Sequence, residues 1–367
     1  GHIICETNYA IMNKPLLKKI RALMILMFFI SSVSFSQMDN VDFLKAGASD
    51  GVKLIEAYIT PWANAFGAGL NGSWYNTAKP HKWTGFDVTF GVNAGFVPTS
   101  ATTFDVSTIG LSSNVTGTGI APTIAGPEED GPELSVETGG VTLATFNTPP
   151  GSGWKIIPVP TLQVGMGLPF GTELKGRFIP KIPIREGDIS LWGIGIMHSI
   201  IQYIPGNELF PFDVSAFAGY TKLSASVPLE LEPGEPQNYT SYDPFTDFID
   251  QELTTGVGAL NAGIVGSFNL PVITFYAGLG YSKTKTEIKL KGFYPTPTLV
   301  SGPVPYAEYN DSGVIEGDDF PFVSIENFSG LRANAGIRLK LALVTIHIDY
   351  TRSNYNVLSA GLGISFR

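Results

Sequence analysis

From Gly330 to Phe366 the chain alternates apolar and polar residues through three consecutive segments. In the first, Leu331, Ala333, Ala335, Ile337, Leu339 and Leu341 alternate with Arg332, Asn334, Gly336, Arg338 and Lys340. In the second, Val344, Ile346, Ile348 and Tyr350 alternate with Thr345, His347, Asp349 and Thr351, and in the third Leu358, Ala360, Leu362, Ile364 and Phe366 alternate with Ser359, Gly361, Gly363 and Ser365. Successive side chains of a strand point to opposite faces, so each segment has one apolar and one polar face. The apolar faces carry no charge. A soluble sandwich can produce such alternation, but a barrel in lipid, apolar outside and polar inside, produces it strand after strand.

The same rhythm recurs upstream. Phe86, Val88, Phe90, Val92, Ala94 and Phe96 are expected to face lipid, as are Leu162, Val164 and Met166, Trp192, Ile194 and Ile196, Val214, Ala216, Ala218 and Tyr220, and Phe275, Leu279 and Tyr281. After residue 36 nothing approaches the ~18 uninterrupted apolar residues of a membrane-crossing helix. A net charge of -9 and a pI near 5.0 argue against nucleic acid as a partner. Near the start, Met12, the basic residues Lys14, Lys18, Lys19 and Arg21, the apolar run 22–30 and Ser34-Phe35-Ser36 read as an export signal cleaved before Gln37. Residues 1–11 lie ahead of the natural-looking start, and the sole cysteine, Cys5, falls there, so the mature chain has no thiol chemistry. Export together with barrel alternation points to a bacterial outer membrane.

Three regions are expected: residues 1–36 as upstream residues and signal, 37–66 as an N-terminal helical plug segment, and 67–367 as the barrel. The helix follows from Val52, Ile55, Ile59, Trp62 and Phe66 at helical spacing, capped by Ser49 or Asp50 and kinked or ended by Pro61. It either packs under the barrel or plugs the lumen. Connection lengths then sort the ends, since periplasmic turns are short and outer loops long in such barrels. Short turns are expected at 97–101, 169–171, 269–271 and 342–343, with 199–211 in the same class. Long outer loops are expected at 111–155, 228–254 and 294–329, with 79–83 and 182–188 on the same side. This sorting is consistent if 67–76 and 102–110 are strands, giving an all-β antiparallel transmembrane barrel of 12 strands. Residues 136–146 form a hairpin arm above the membrane in that count; if they span, the count becomes 14. Tyr and Trp near predicted strand ends, including Trp83, Tyr220 and Tyr281, suit a lipid–water girdle.

The inward-facing charges form the sharpest constellation. Glu173, Lys175 and Arg177 make one row; Arg332, Arg338, Lys340, His347 and Asp349 make another. With a turn at 342–343, Arg338 lies opposite His347 and within diagonal reach of Asp349. This reads as an ionic network filling a pore wall, or as a polar filter. A catalytic role would need a partnered nucleophile, and none is specified beside His347, so no enzyme activity is expected. His81, in Lys79-Pro80-His81-Lys82, is expected on the first outer loop, solvated or near lipopolysaccharide phosphates. Metal-ligand spacing is absent, and the acidic run 310–319 fails the calcium-loop pattern. No cofactor is expected. Recurrent inward glycines, among them Gly91, Gly95, Gly165, Gly195, Gly278, Gly361 and Gly363, leave room for water, a ligand or the helix, or serve tight barrel curvature.

The segments 72–82 (GSWYNTAKPHK), 198–205 (HSIIQYIP) and 211–215 (PFDVS) resemble an uncharacterised barrel family of Bacteroidetes outer membranes. A helical segment ahead of a barrel is, at fold level, similar to FadL-type transporters of hydrophobic compounds, although no diagnostic motif of that family is present. The resemblance implies a plugged barrel that passes or binds small hydrophobic solutes through the plug face Ile55, Ile59, Trp62 and Phe66. A structural or interaction barrel, an anchor or secretion-associated protein acting through its outer loops, is the competing expectation. Outer-membrane lipid, lipopolysaccharide and the barrel-assembly machinery are the expected partners.

Overall fold

The computed structural model describes Ala46 and residues 48–366, apart from 185–186, 207–209, 229–249, 296–297, 301–305, 309–313, 317–322 and 326–328. The signal, its cleavage site and most of the acidic run 310–319 lie outside the described residues. One helix, α1 (Ala48–Leu70), precedes ten long strands: β1 (Phe86–Phe96), β2 (Ile156–Leu168), β3 (Thr172–Ile184), β4 (Gly187–Ser199), β5 (Phe212–Pro228), β6 (Glu252–Asn269), β7 (Ile273–Lys291), β8 (Ser329–Leu341), β9 (Val344–Arg352) and β10 (Val357–Phe366). Each pairs antiparallel with the next, and β1 pairs with both β2 and β10, which closes the barrel. A short strand, Val323–Ile325, pairs with the far end of β7.

The barrel has ten strands, not twelve. Residues 67–76, expected as a first strand, form the end of α1 and an irregular strap below it. Residues 102–110, expected as a third, hold a three-residue strand, Thr103–Asp105, and a 3₁₀ turn, Val106–Thr108. Residues 97–101 are accordingly no periplasmic turn; they open a single long connection, 97–155. Within it Glu133–Thr138 and Val141–Asn147 pair as a hairpin outside the barrel, so they add no spanning strand. The expected helix over 50–66 is longer at both ends and runs through Pro61.

The strand ends joined by the short connections 169–171, 200–211, 270–272 and 342–343 lie at one end, which the length rule makes periplasmic; those joined by 97–155, 229–251 and 292–328 lie at the other. Near the periplasmic end the alternation is apolar-out and polar-in. Val164, Ile194, Ile264, Leu279, Ile348 and Leu362 are exposed on the exterior, a continuous apolar band of the kind soluble monomers avoid. The chain therefore has an outer-membrane-type barrel fold. Farther along, the rule inverts. Beyond Tyr220, β5 turns Lys222 and Ser224 outward and buries Leu223; beyond Leu260, β6 buries Val257 and Leu253; beyond Tyr281, β7 turns Lys283, Lys285 and Lys289 outward and buries Ile288. β6 and β7 have 18 and 19 residues, against the ~9–11 a tilted strand needs to cross a bilayer. The barrel thus continues beyond the membrane as a segment with a water-facing exterior and an apolar interior.

Helix α1 fills that interior. Leu54, Tyr58, Trp62 and Phe66 join Val159, Ile179, Leu191, Leu223, Val257 and Ile288 in one buried cluster, with Trp62 and Phe66 stacked at 5.1 Å. The helix backbone touches the wall: a Cβ built on Gly95 would lie 2.1 Å from the Ala65 carbonyl oxygen. A main-chain atom cannot retreat as a side chain can, so Gly95→Ala should unseat the helix and show as a lower unfolding temperature and faster proteolysis of residues 48–70.

The helix starts at the outer mouth and its end points toward the periplasm. In a Cys5→Ser background, a membrane-impermeant maleimide should label Ser49→Cys on intact cells and Phe170→Cys, in the 169–171 turn, only after the outer membrane is opened.

Candidate functional site

The region that decides what this barrel can pass is the lumen at membrane level, occupied by the strap 71–85. Helix α1 has no basic residue in its last turn to balance its free carbonyls. The wall provides that charge. Arg177 of β3 donates from Nη1 to the Leu70 carbonyl at 2.7 Å and from Nη2 to the Gly72 carbonyl at 2.6 Å. Arg332 of β8 donates to the Asn71 carbonyl at 2.6 Å, and the Asn261 amide of β6 reaches the same oxygen at 3.3 Å. The Arg177 guanidinium also lies 3.7 Å from the centre of the Trp74 ring. Gln163 accepts from Arg177 Nε at 3.0 Å and donates to the Trp74 carbonyl at 3.2 Å.

Below this lock the strap's aromatic rings are seated on bare wall. Trp74 lies over Gly195 and Gly219, where an added Cβ would come within 2.8 Å of the indole at both positions. Tyr75 packs edge-on to Phe217 at 5.3 Å and Tyr276 at 6.4 Å and donates to Asn334 at 2.8 Å. The strap leaves through the periplasmic end. Ala78 N donates to Ser267 at 3.0 Å and its carbonyl accepts from Ser215. His81 is buried there, not solvated on an outer loop: its backbone N–H donates to Glu173 Oε2 at 2.8 Å, its Nδ1 lies 2.9 Å from the same oxygen, and Nε2 lies 3.2 Å from Ser365. Residues 79–83 therefore sit at the periplasmic end, opposite to the side expected, because the strap and not a strand precedes β1.

The sequence-identified charges all face the lumen; Glu173, Lys175, Arg177, Arg332, Arg338, His347 and Asp349 are buried and Lys340 half-buried. The register sets Lys340 opposite Thr345 and Arg338 opposite His347. Asp349 accepts a hydrogen bond from Tyr276 at 2.9 Å. His347 lies across Gly361, and neither ring nitrogen has a hydrogen-bond partner among the described residues. Among the described residues no serine, threonine or cysteine side chain is hydrogen-bonded to it. Ile55, Ile59, Trp62 and Phe66 are buried against the wall and the connection 97–155. Two features escaped the sequence. His81, Asp87 and Glu173 bring ligand-type atoms within 4.8 Å of one another, although their spacing of 81, 87 and 173 carries no motif. Glu173 is already ion-paired with the Lys175 ammonium, which supplies the positive charge a metal would otherwise bring. The arginine grip on α1 was equally hidden, since its acceptors are backbone carbonyls.

The outer mouth is closed by residues of the connection 97–155. Ser112 donates to the Asp50 carboxylate from both its hydroxyl and its N–H, Lys53 donates to the Gly110 carbonyl at 2.7 Å, Tyr58 to the Pro150 carbonyl at 2.8 Å, and Ile124 N–H to the Tyr58 carbonyl at 3.0 Å. Burial works against the Asp50 carboxylate, but the hydrogen bonds from Ser112 and Lys53 outweigh it and hold its pKa below the ordinary value.

The family model for a family of unknown function, DUF6588, matches residues 17–366. The chain belongs to this family. The match gives no support to a Bacteroidetes origin. No curated protein matches the sequence. Among solved structures, the chain is similar to the translocator domain of the autotransporter NalP from Neisseria meningitidis, with 13% identity, 78% of this chain and 90% of that chain covered, and a TM-score of 0.29. It is also similar to the attachment invasion locus protein Ail of Yersinia pestis (9%, 77% and 97%, 0.24) and to the Ralstonia pickettii toluene transporter TbuX (7%, 77% and 88%, 0.16). Similarities this low assign no role.

Two outcomes test the arginine lock and the Asp50–Ser112 contact at the outer mouth. Arg177→Gln or Arg332→Gln should each cost about 2–3 kcal/mol in urea unfolding, the worth of charged hydrogen bonds to carbonyls that are otherwise left bare. Because the folded-state pKa of Asp50 is depressed, its contribution is complete above the unfolded carboxylate value and is lost as pH falls through the folded one. Protease protection of the helix start should therefore be flat from neutral pH to about 5 and fall at more acidic pH, a fall that Asp50→Asn should abolish.

Proposed function

We propose that this protein is a closed outer-membrane barrel that acts as an anchored interaction platform, its working surface being the outer connections and the water-facing extension of the barrel. The observation that carries the reading is that residues 48–85 run through the lumen from outer mouth to periplasmic end, bonded to the wall at every level. An eight-strand barrel is filled by its own side chains, and a helix with side chains measures about 10–12 Å across. Ten strands holding a helix and its strap leave little interior for traffic.

The face suggested for hydrophobic solutes is taken up by the protein itself, since Ile55, Ile59, Trp62 and Phe66 complete a core with the wall. The connection 97–155, by contrast, is folded: its hairpin buries Leu134, Val136 and Phe146 in the same cluster as the helix. Lipid and lipopolysaccharide surround such a barrel, and the barrel-assembly machinery inserts it.

In planar bilayers the purified protein should show no steady conductance, and proteoliposomes carrying it should take up small solutes no faster than empty ones. A steady wild-type conductance would return the chain to the channels. The Arg177→Gln, Arg332→Gln double variant should produce intermittent openings if the lock is what closes the lumen.

A further inference from the structure

The exterior just beyond the apolar band carries a basic patch that the lumen-centred reading does not use. Tyr220 and Tyr281 are the last aromatic outward residues of β5 and β7, and the next outward position on each strand is a lysine, Lys222 and Lys283. The pairing sets Lys222 opposite Gly258 of β6, and Gly258 opposite Lys285 of β7. One row across three strands therefore reads lysine, glycine, lysine. Adjacent strands lie about 4.8 Å apart, so the two lysine backbones stand about 10 Å from each other across Gly258, which contributes no side chain of its own; the side chain that reaches over it is Tyr220. Gly256, the next outward residue of β6, has nothing within 4 Å of an added Cβ. The Tyr220 hydroxyl would lie 2.9 Å from a Cβ at Gly258, which places that hydroxyl at the floor of the slot. Trp192, opposite Lys222 on β4, packs on Tyr220 with ring centres 5.7 Å apart.

Charge favours an anion here. On the exterior of β5–β7 beyond the girdle, Lys222, Lys283, Lys285, Lys289 and Lys291 face two carboxylates, Glu287 and Glu252, which pair with Lys285 at 2.8 Å and Lys291 at 3.4 Å. Depth identifies the anion: interfacial aromatics mark the headgroup level, and ammonium groups one position beyond them meet lipid phosphates.

We infer that the slot over Gly258, flanked by Lys222, Lys283 and Lys285, binds the phosphate of an outer-leaflet phosphorylated glycolipid. The inference rests on the outward placement of the long connections. It also moves the lipid-phosphate contact away from Lys79, His81 and Lys82, which lie at the opposite end of the barrel.

The test is retention of diphosphorylated lipid A, and of the same glycolipid stripped of phosphate, by the full-length detergent-solubilised protein, read by native mass spectrometry. Wild type should retain the phosphorylated form and not the stripped one. The Lys222→Gln, Lys283→Gln, Lys285→Gln variant should bind about tenfold or more weakly while keeping its heat-modifiable migration on gels. Gly258→Leu, which fills the slot and leaves every charge, should weaken binding as well. Equal retention of the stripped glycolipid, an unchanged affinity in both variants, or displacement by inorganic phosphate at matched concentration would overturn the site. If Lys79→Gln, Lys82→Gln abolished retention and the three-lysine variant did not, the orientation itself would fail, an outcome distinct from loss of the slot.

Discussion

Two buried arginines on opposite parts of the wall grip the carbonyls where helix α1 ends, and the arrangement of the interior depends on them. A helix end buried with bare carbonyls is costly, and this helix carries no basic residue of its own in the last turn. Arg177 and Arg332 satisfy Leu70, Asn71 and Gly72 together. They also sit where the lumen changes character, with Ile179 one inward position above Arg177 and Lys175 and Glu173 below it. The grip thus fixes the depth of the helix, and through it which part of the chain meets the apolar wall and which the polar one.

That change of character reports the position of the membrane more sharply than the apolar band alone. A strand that crosses lipid and continues into water has to exchange the polarity of its two faces without changing register. β5, β6 and β7 do this at Tyr220, Leu260 and Tyr281. The girdle and the inversion agree because both answer to the same boundary.

Much of the barrel was legible in the sequence and the strand count was not. Alternation in 86–96, 331–341, 344–350 and 358–366 states which face each residue takes, because the side-chain period of two leaves no choice once one face is lipid. Connection length gave a direction, and the two-residue turn at 342–343 gave a register. The count differs at 67–76 and 102–110, where alternation of short and long connections calls for strands and the chain instead forms a helix end, a strap and a 3₁₀ turn. Trp74, Tyr75, Ala78 and His81 are polar-apolar mixtures that belong to neither a helix nor a strand; their positions follow from glycines and serines on strands far away, such as Gly195, Gly219, Ser215 and Ser267. A single sequence carries no local signal for a strap whose partners are all long-range.

Helix α1 is too deeply committed to serve as a gate. Leu54, Ile55, Tyr58, Ile59, Trp62, Phe66 and Leu70 are all buried. At about 1.5–3 kcal/mol for each such side chain, withdrawing the helix would forfeit roughly 10–20 kcal/mol, before counting the facing residues of the wall. A gate that is open even a small fraction of the time lies only a few kcal/mol above its closed state. The helix is therefore better described as the core of the barrel's water-facing segment than as a removable plug. It follows that the barrel must close around it during assembly, because a finished barrel whose interior is this full offers no path for the helix start to reach the outer mouth.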